Sequence, residues 1–156
     1  MPTDPQPTPT TQPPPIRRFT VFGDEMRVKQ YGDSTGGRYA VMEQTLHPGG
    51  GPPPHVHTRE DEVFYIVDGE FDILLGDETI RARAGDVLNA PRDLRHTYHA
   101  AGDRPATIMF LTYPAGIEDF FAEVATLGFP PDLNKLAEAG KQYGLIFELP
   151  EASAKP

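Results

Sequence analysis

The sequence predicts an antiparallel β-sandwich or barrel followed by one or two short helices. Short apolar or alternating runs recur between Ile16 and Tyr113, and glycine, proline or aspartate separates them. The turns recur about every 8–12 residues, which is typical of all-β domains rather than of alternating βαβ units. After Pro114 the apolar period changes from two to that of an amphipathic helix.

Composition limits the classes of function. The chain has 156 residues, of which 38% are apolar, enough for one packed core. The 14 basic and 23 acidic residues give a net charge of −9, which argues against nucleic acid as a partner. The sequence shows neither a membrane-length apolar window nor a signal peptide, so we expect a soluble, cytoplasmic protein with no membrane partner. Without cysteine, any metal must be held by nitrogen and oxygen ligands.

Three regions follow from these changes of pattern. Residues 1–15 contain seven prolines and almost no large apolar side chain, which predicts a disordered arm. Residues 16–114 form the predicted β-domain, and residues 115–156 a helical extension with a tail. We expect nine strands in the β-domain: Phe19–Phe22, Met26–Tyr31, Arg38–Leu46, Val63–Val67, Phe71–Leu75, Thr79–Ala82, Asp86–Ala90, His96–Ala100 and Thr107–Tyr113.

The extension carries two helical patterns. The first has apolar residues at i, i+3, i+4 and i+7, which are Ile117, Phe120, Phe121 and Val124. Its aromatic pair is expected to pack on the outside of the sheet, the alternative being a ligand pocket. The second helix is expected to start at Pro131-Asp132, to bury Leu133, Leu136 and Ala137, and to end before Gly140. A strand-like segment at residues 145–147 would follow.

Four residues have the chemistry and spacing of a metal site. His55 and His57 are two apart and point to one side if the chain is extended, because side chains alternate along a strand. Glu62 opens one predicted strand and His96 another. Three imidazoles and one carboxylate suit a borderline divalent ion and leave coordination positions open.

Neighbouring polar residues are competing candidates. Glu60 and Asp61 are expected to form a solvated acidic rim, since Glu62 shares a strand face with Phe64. Arg59 is read as a solvated turn residue, with an anion clamp as the alternative. The two remaining histidines, His47 and His99, are expected to be structural or exposed. Tyr98 shares the face of His96 and either lines a pocket or packs in the core.

These residues also carry a family resemblance. Two motifs resemble the conserved motifs of the cupin superfamily: Gly49-(x5)-His55-x-His57-(x4)-Glu62-(x6)-Gly69 and Gly85-(x5)-Pro91-x-Asp93-(x2)-His96. The second departs from the family pattern at Asp93, where glycine is usual, and at Ala100, where asparagine is usual. Aspartate tolerates left-handed backbone, so the fold is still expected.

The resemblance implies an all-β fold, a double-stranded β-helix or jelly-roll cupin barrel with short C-terminal helices. It implies one divalent transition metal ion (Fe, Mn, Ni, Co, Cu or Zn) held by His55, His57, Glu62 and His96. It also implies a homodimer, and the strand Phe19–Phe22 would be available for pairing at a sheet edge.

The resemblance is strongest to small single-domain cupins described as quercetin-dioxygenase-like. It implies a dioxygenase that binds a hydroxyl or enolate oxygen of a small aromatic, flavonol-like or polyketide-like substrate, with Glu62 as the catalytic proton shuttle. The expected substrate pocket consists of Met42, Phe64, Ile66, Tyr98 and Phe110. Two alternatives stay open: a metal-dependent isomerase or cyclase without redox chemistry, and a non-catalytic cupin that binds a small molecule.

Overall fold

The computed structural model describes residues 12–150 and contains two antiparallel sheets. The described strands are β1 Arg17–Val21, β2 Asp24–Gln30, β3 Ala40–Leu46, β4 His55–His57, β5 Asp61–Asp68, β6 Glu70–Leu75, β7 Glu78–Arg83, β8 Val87–Ala90, β9 His96–Ala101, β10 Ala106–Tyr113 and β11 Leu145–Phe147. The helices are α1 Gly32–Thr35, α2 Ile117–Val124 and α3 Leu133–Gln142, with a 3₁₀ turn over Ala125–Leu127. Among these residues no helix is long and apolar enough to cross a membrane.

The two sheets face each other as a double-stranded β-helix. One sheet has the order β1-β2-β3-β10-β5-β8 and the other the order β11-β4-β9-β6-β7. The predicted jelly-roll fold is therefore confirmed. Most of the predicted disordered arm lies outside the described residues.

The core forms between the sheets because apolar residues alternate along the long strands. In β3 and β10 every second residue is buried, starting from Ala40 and Ala106. Phe64 and Phe110 are 0% and 1% exposed and pair in register across β5 and β10. Fully burying a side chain of this size contributes about 1.5–3 kcal/mol, so each of these rings stabilises the barrel.

Two turns depend on special backbone conformations. Gly69 has φ +78°, and a Cβ there would lie 2.6 Å from the Cβ of Ala106, so the β5–β6 turn requires glycine. Asp93 has φ 67°, and its amide donates to the carbonyl of His57 at 2.8 Å. The turn before β9 is thereby joined to β4, with aspartate in the left-handed conformation expected for it.

Three elements differ from the sequence-based expectations. The segment His55–His57 forms a strand of its own, and residues 32–35 form a short helix; neither was among the predicted elements. The prediction that α3 ends before Gly140 is wrong, because the helix continues to Gln142. Gly140 is buried, and a Cβ there would lie 3.0 Å from the carbonyl of Leu145, so this glycine permits close packing of α3 on β11. Leu133 is 40% exposed rather than buried, since it lies in the first turn of α3.

Candidate metal centre

Two histidines of the site lie on β4. The strand follows three prolines, whose restricted φ limits the conformations of the approach to His55. Alternation puts His55 and His57 on the inner face, 6% and 3% exposed, with Val56 on the other side. The strand has only three residues; β9 pairs with it at His55, and β11 pairs with all three residues.

The carboxylate and the third histidine come from longer strands in opposite sheets. Glu62 lies on β5 between Thr112 of β10 and Ala90 of β8, and it is 3% exposed. His96 begins β9 directly opposite His55 and is 0% exposed. The barrel therefore brings together four side chains that are up to 41 positions apart in the chain (from 55 to 96).

The potential ligand atoms converge on a small volume. One nitrogen or oxygen from each of His55, His57, Glu62 and His96 lies within 4.8 Å of the others. Glu62 Oε2 is 2.9 Å from His96 Nε2 and 3.3 Å from His57 Nε2. The imidazole centroids are separated by 4.5 to 5.2 Å. This is the set of four that the sequence spacing singled out.

Hydrogen bonds orient all three imidazoles in the same way. Nδ1 of His55 donates to the carbonyl of Pro53 at 2.8 Å, and Nδ1 of His96 to the carbonyl of Leu94 at 2.9 Å. Nδ1 of His57 lies 3.2 Å from Oε2 of Glu60. Because carbonyl and carboxylate oxygens accept these protons, the Nε2 lone pair of a neutral ring faces the centre.

The donor set fits a divalent metal ion. With Nδ1–H bound to Leu94, a neutral His96 presents a lone pair to a Glu62 oxygen only 2.9 Å away. Two electron-rich atoms at that distance require a positive charge between them, either a proton or a metal ion. The three imidazoles and the carboxylate together form a possible metal site for a borderline ion.

Burial and mutual charge perturb the site's titration. Burial, followed by the charges of His57 and His96, lowers the pKa of His55 to about 3. Burial is also the largest influence on Glu62, and it acts to raise that pKa, but the histidines together hold it below its ordinary value. For His96 burial acts to lower the pKa, but the hydrogen bond and charge of Glu62 outweigh it, so the pKa is raised.

A small cavity with aromatic walls adjoins the four ligands. Its volume is about 20 Å³, which is enough for roughly one water molecule. Apart from His55, His57 and Glu62, it is lined by Phe22, Met26, Pro52, Tyr98, Phe120, Phe121, Leu145 and Phe147.

The expected pocket differs from this lining. Tyr98 lines the cavity, and its hydroxyl donates to Oε1 of Gln44 at 3.1 Å. Met42, Phe64, Ile66 and Phe110 are not among the lining residues; they are 0–1% exposed and pack in the core. They lie on the inward faces of their strands, but the cavity does not reach them.

The C-terminal extension supplies part of the cavity wall, which the sequence interpretation gave only as the alternative for Phe120 and Phe121. Phe120 and Phe121 of α2 line the cavity, although packing outside the sheet was expected. Phe147 of β11 lies with its ring centroid 5.5 Å from that of His55 and 5.9 Å from that of Phe120. The clustering of aromatic residues in the extension was the available signal, but sequence spacing alone does not show that β11 pairs with β4.

The acidic neighbours of Glu62 have different environments. Asp61 is partly exposed and accepts from Nε of Arg92 at 3.1 Å, as expected of a rim residue. Glu60 is 4% exposed and contacts His57, so its assignment to a solvated rim is wrong. The hydrogen bond with the imidazole of His57 offsets the cost of burying this carboxylate. The sequence alone does not show this contact, because it depends on how the turn after β4 folds back.

The remaining polar candidates lie outside the cluster. Arg59 is exposed, and its guanidinium donates to the carbonyl of Gln142 at 3.0 Å, which joins the turn after β4 to the end of α3. His47 is exposed beside Asp24, and His99 is half-buried; the metal cluster does not include either of them.

Fold and site together define a class of protein, a double-stranded β-helix with three histidines and one glutamate clustered inside the barrel. The Cupin_2 family model, described as a cupin domain, matches residues 42–112, which include all four of these residues. Residues 42–112 are therefore identified as a cupin domain.

One curated relative and two solved structures show what the chain is similar to. The chain is 31% identical over 103 residues to polyketide synthase CurC of Streptomyces cyaneus, a match that covers 66% of this chain and 64% of CurC. The match thus spans slightly less than two thirds of that relative. An RmlC-like cupin from Shewanella frigidimarina has a TM-score of 0.58 at 20% identity, covering 67% of this chain and 88% of that one. The polyketide cyclase RemF of Streptomyces resistomycificus has a TM-score of 0.55 at 18% identity, covering 68% and 79%. These two likenesses concern the fold.

Proposed function

We propose that this cupin is a metal-dependent enzyme that acts on a hydroxyl or enolate oxygen of a small aromatic or polyketide-like substrate. The observation that carries the proposal is the convergence of three Nε2 atoms and a carboxylate on one buried point beside an aromatic-walled cavity. Similarity to polyketide synthase CurC supports the substrate class.

The residues would hold the ion and handle the proton. His55, His57, Glu62 and His96 would be its ligands, and a bound ion would supply Lewis-acid polarisation of a substrate oxygen and, if redox-active, reactivity with dioxygen. Glu62 has a lowered pKa, so it is ionised near neutral pH and can accept the proton of a substrate hydroxyl.

The pKa of Tyr98 is shifted in the opposite direction from that of Glu62. Burial, followed by the charges of Glu62 and Asp24, raises its pKa well above the ordinary value. The phenol therefore stays protonated in the cavity wall. It offers a polar contact among the rings that would pack on a planar substrate.

Substrate entry requires the wall to open. A cavity of about 20 Å³ holds roughly a water molecule, far less than an aromatic substrate. Phe120 and Phe121 come from α2, which belongs to neither sheet, so displacement of this helix would enlarge the cavity without separating paired strands.

Dioxygenase chemistry is the first reaction candidate, because nitrogen and oxygen ligands of this kind accept redox-active first-row ions. Cyclisation or isomerisation without oxygen is the second, because the same ligands also accept an ion without redox chemistry such as Zn(II). Both reactions begin with an activated substrate oxygen, so they share the ligand set and the role of Glu62.

The test combines metal analysis with an oxygen measurement. Protein purified without added metal is analysed for its ions, then reloaded with Fe(II), Mn(II), Ni(II) or Zn(II) and offered flavonols and polyketide-type phenols. Oxygen uptake with product formation supports the dioxygenase, whereas anaerobic turnover with Zn(II) supports the cyclase or isomerase. Glu62→Gln should abolish either reaction. Substrate binding without any turnover would contradict the proposal that the protein is an enzyme.

A further inference from the structure

Glu60 is a buried carboxylate that belongs neither to the ligand cluster nor to the cavity wall. It is 4% exposed, and Oε2 lies 3.2 Å from Nδ1 of His57, which is itself 3% exposed. A buried carboxylate is costly unless it is paired. Glu60 is paired with Nδ1 of His57, and the Nε2 atom of the same ring faces Glu62.

This contact distinguishes His57 from the two other histidines. His55 and His96 each donate Nδ1–H to a backbone carbonyl, at 2.8 and 2.9 Å. His57 has a carboxylate in that place. A charged acceptor forms a stronger hydrogen bond than a neutral one and makes the ring a better electron donor through its other nitrogen.

The backbone explains why Glu60, and not its neighbour, reaches the ring. Glu62 points inward on β5, so alternation turns Asp61 outward, where it pairs with Arg92. Glu60 precedes the strand, three positions after His57, and the turn folds its side chain back beneath the imidazole. Each of the three consecutive acidic residues therefore has a different environment.

We propose that Glu60 is a positioning residue that orients His57 and strengthens it as a metal ligand. The proposal rests on the proposed metal site and adds to it a residue outside the ligand set. Glu60 would make His57 a stronger electron donor to the ion than His55 and His96.

The test compares three variants loaded with Co(II), whose visible absorption reports the ligand field. Glu60→Ala removes the acceptor, Glu60→Gln keeps an acceptor oxygen without the charge, and Asp61→Asn is the matched control on the exposed neighbour. Co(II) retention is measured by competition with a chelator, and thermal unfolding of the ion-free proteins reports folding. We expect Glu60→Ala to weaken retention on the order of 10–100-fold. Glu60→Gln should give an intermediate loss with a shifted spectrum, and Asp61→Asn should match the wild type.

The outcomes separate this proposal from the metal site itself. If the wild type retains Co(II) and both Glu60 variants bind it equally well with unchanged spectra, the positioning role is overturned and the site stands. If the wild type retains no added ion, the proposed metal site fails, and the role of Glu60 fails with it. Should Glu60→Ala not fold, the isosteric Glu60→Gln decides the question.

Discussion

Glu62 and the H-x-H pair are held by very different parts of the barrel. Glu62 lies on an eight-residue strand with a neighbour on each side, β10 and β8. His55 and His57 lie on a three-residue strand that β9 pairs at one position and β11, from the C-terminal extension, at three. The carboxylate is thus part of the core scaffold, whereas the H-x-H pair depends on a segment outside the family-matched residues 42–112. The difference suggests that stability and metal retention can be changed separately.

The largest effect is expected from removing two of the three histidine ligands. His57→Ala combined with His96→Ala should abolish metal retention, because Glu62 and His55 alone cannot hold the ion. The protein should remain folded, since Phe64 and the other core residues are untouched. Elemental analysis and circular dichroism check both points, with His47→Ala as the control outside the cluster. Unchanged metal content in the double variant would refute the site assignment.

Acid should affect His96 before the carboxylate of Glu62. The pKa of His96 is raised above its ordinary 6.5, so protons compete with a metal there from above pH 6.5 downward. Retention should fall about tenfold per pH unit below that pKa, because one proton displaces one ligand bond. In the ion-free protein two histidines act in opposite directions. Protonated His96 contributes stability below pH 6.5 that is lost as pH rises through its raised pKa, whereas buried His55, whose pKa is lowered to about 3, loses stability as pH falls below 6.5. Metal content after dialysis at pH 8 and at pH 6 checks this, and equal content at both would contradict it.

A smaller effect should come from a substitution in β11, the strand that pairs with all three residues of β4. Phe147→Ala removes a half-buried ring that packs on His55 and Phe120. We expect severalfold faster metal release to a chelator and a loss of about 1–2 kcal/mol in the free energy of unfolding.

The adjacent Ile146 is the matched control for this experiment. It is 58% exposed on the other face of the same strand, so Ile146→Ala should leave metal release unchanged. Equal release rates for both variants would show that β11 does not support the site through its inner face.

Much of the fold was predictable from local patterns. Alternation and turn residues located nine strands, because in-out periodicity and glycine turns are encoded over a few residues. The short strand at His55–His57 was not among them, since three residues after a proline run carry too little pattern. The end of α3 was placed wrongly because Gly140 has a packing role that only its contact with β11 explains.

The site was predictable in its ligands but not in its surroundings. Spacing identified the four convergent residues, while four of the five expected pocket residues lie in the core. Alternation tells which side of a strand a residue faces, but not how deep in the barrel it lies. Glu60 was misassigned for a related reason, since its burial depends on the path of a turn.

The sequence by itself determined the antiparallel β-architecture, the absence of thiolate ligands and the set His55, His57, Glu62 and His96, because these depend on residue type and short-range spacing. Only the tertiary structure decided that Glu60 contacts His57 and that the C-terminal extension closes the cavity with Phe120, Phe121 and Phe147. The contact of Glu60 depends on the path of the turn between β4 and β5, and closure of the cavity depends on pairing between segments far apart in the chain. Both are selected by the packing of the whole barrel rather than by any local pattern.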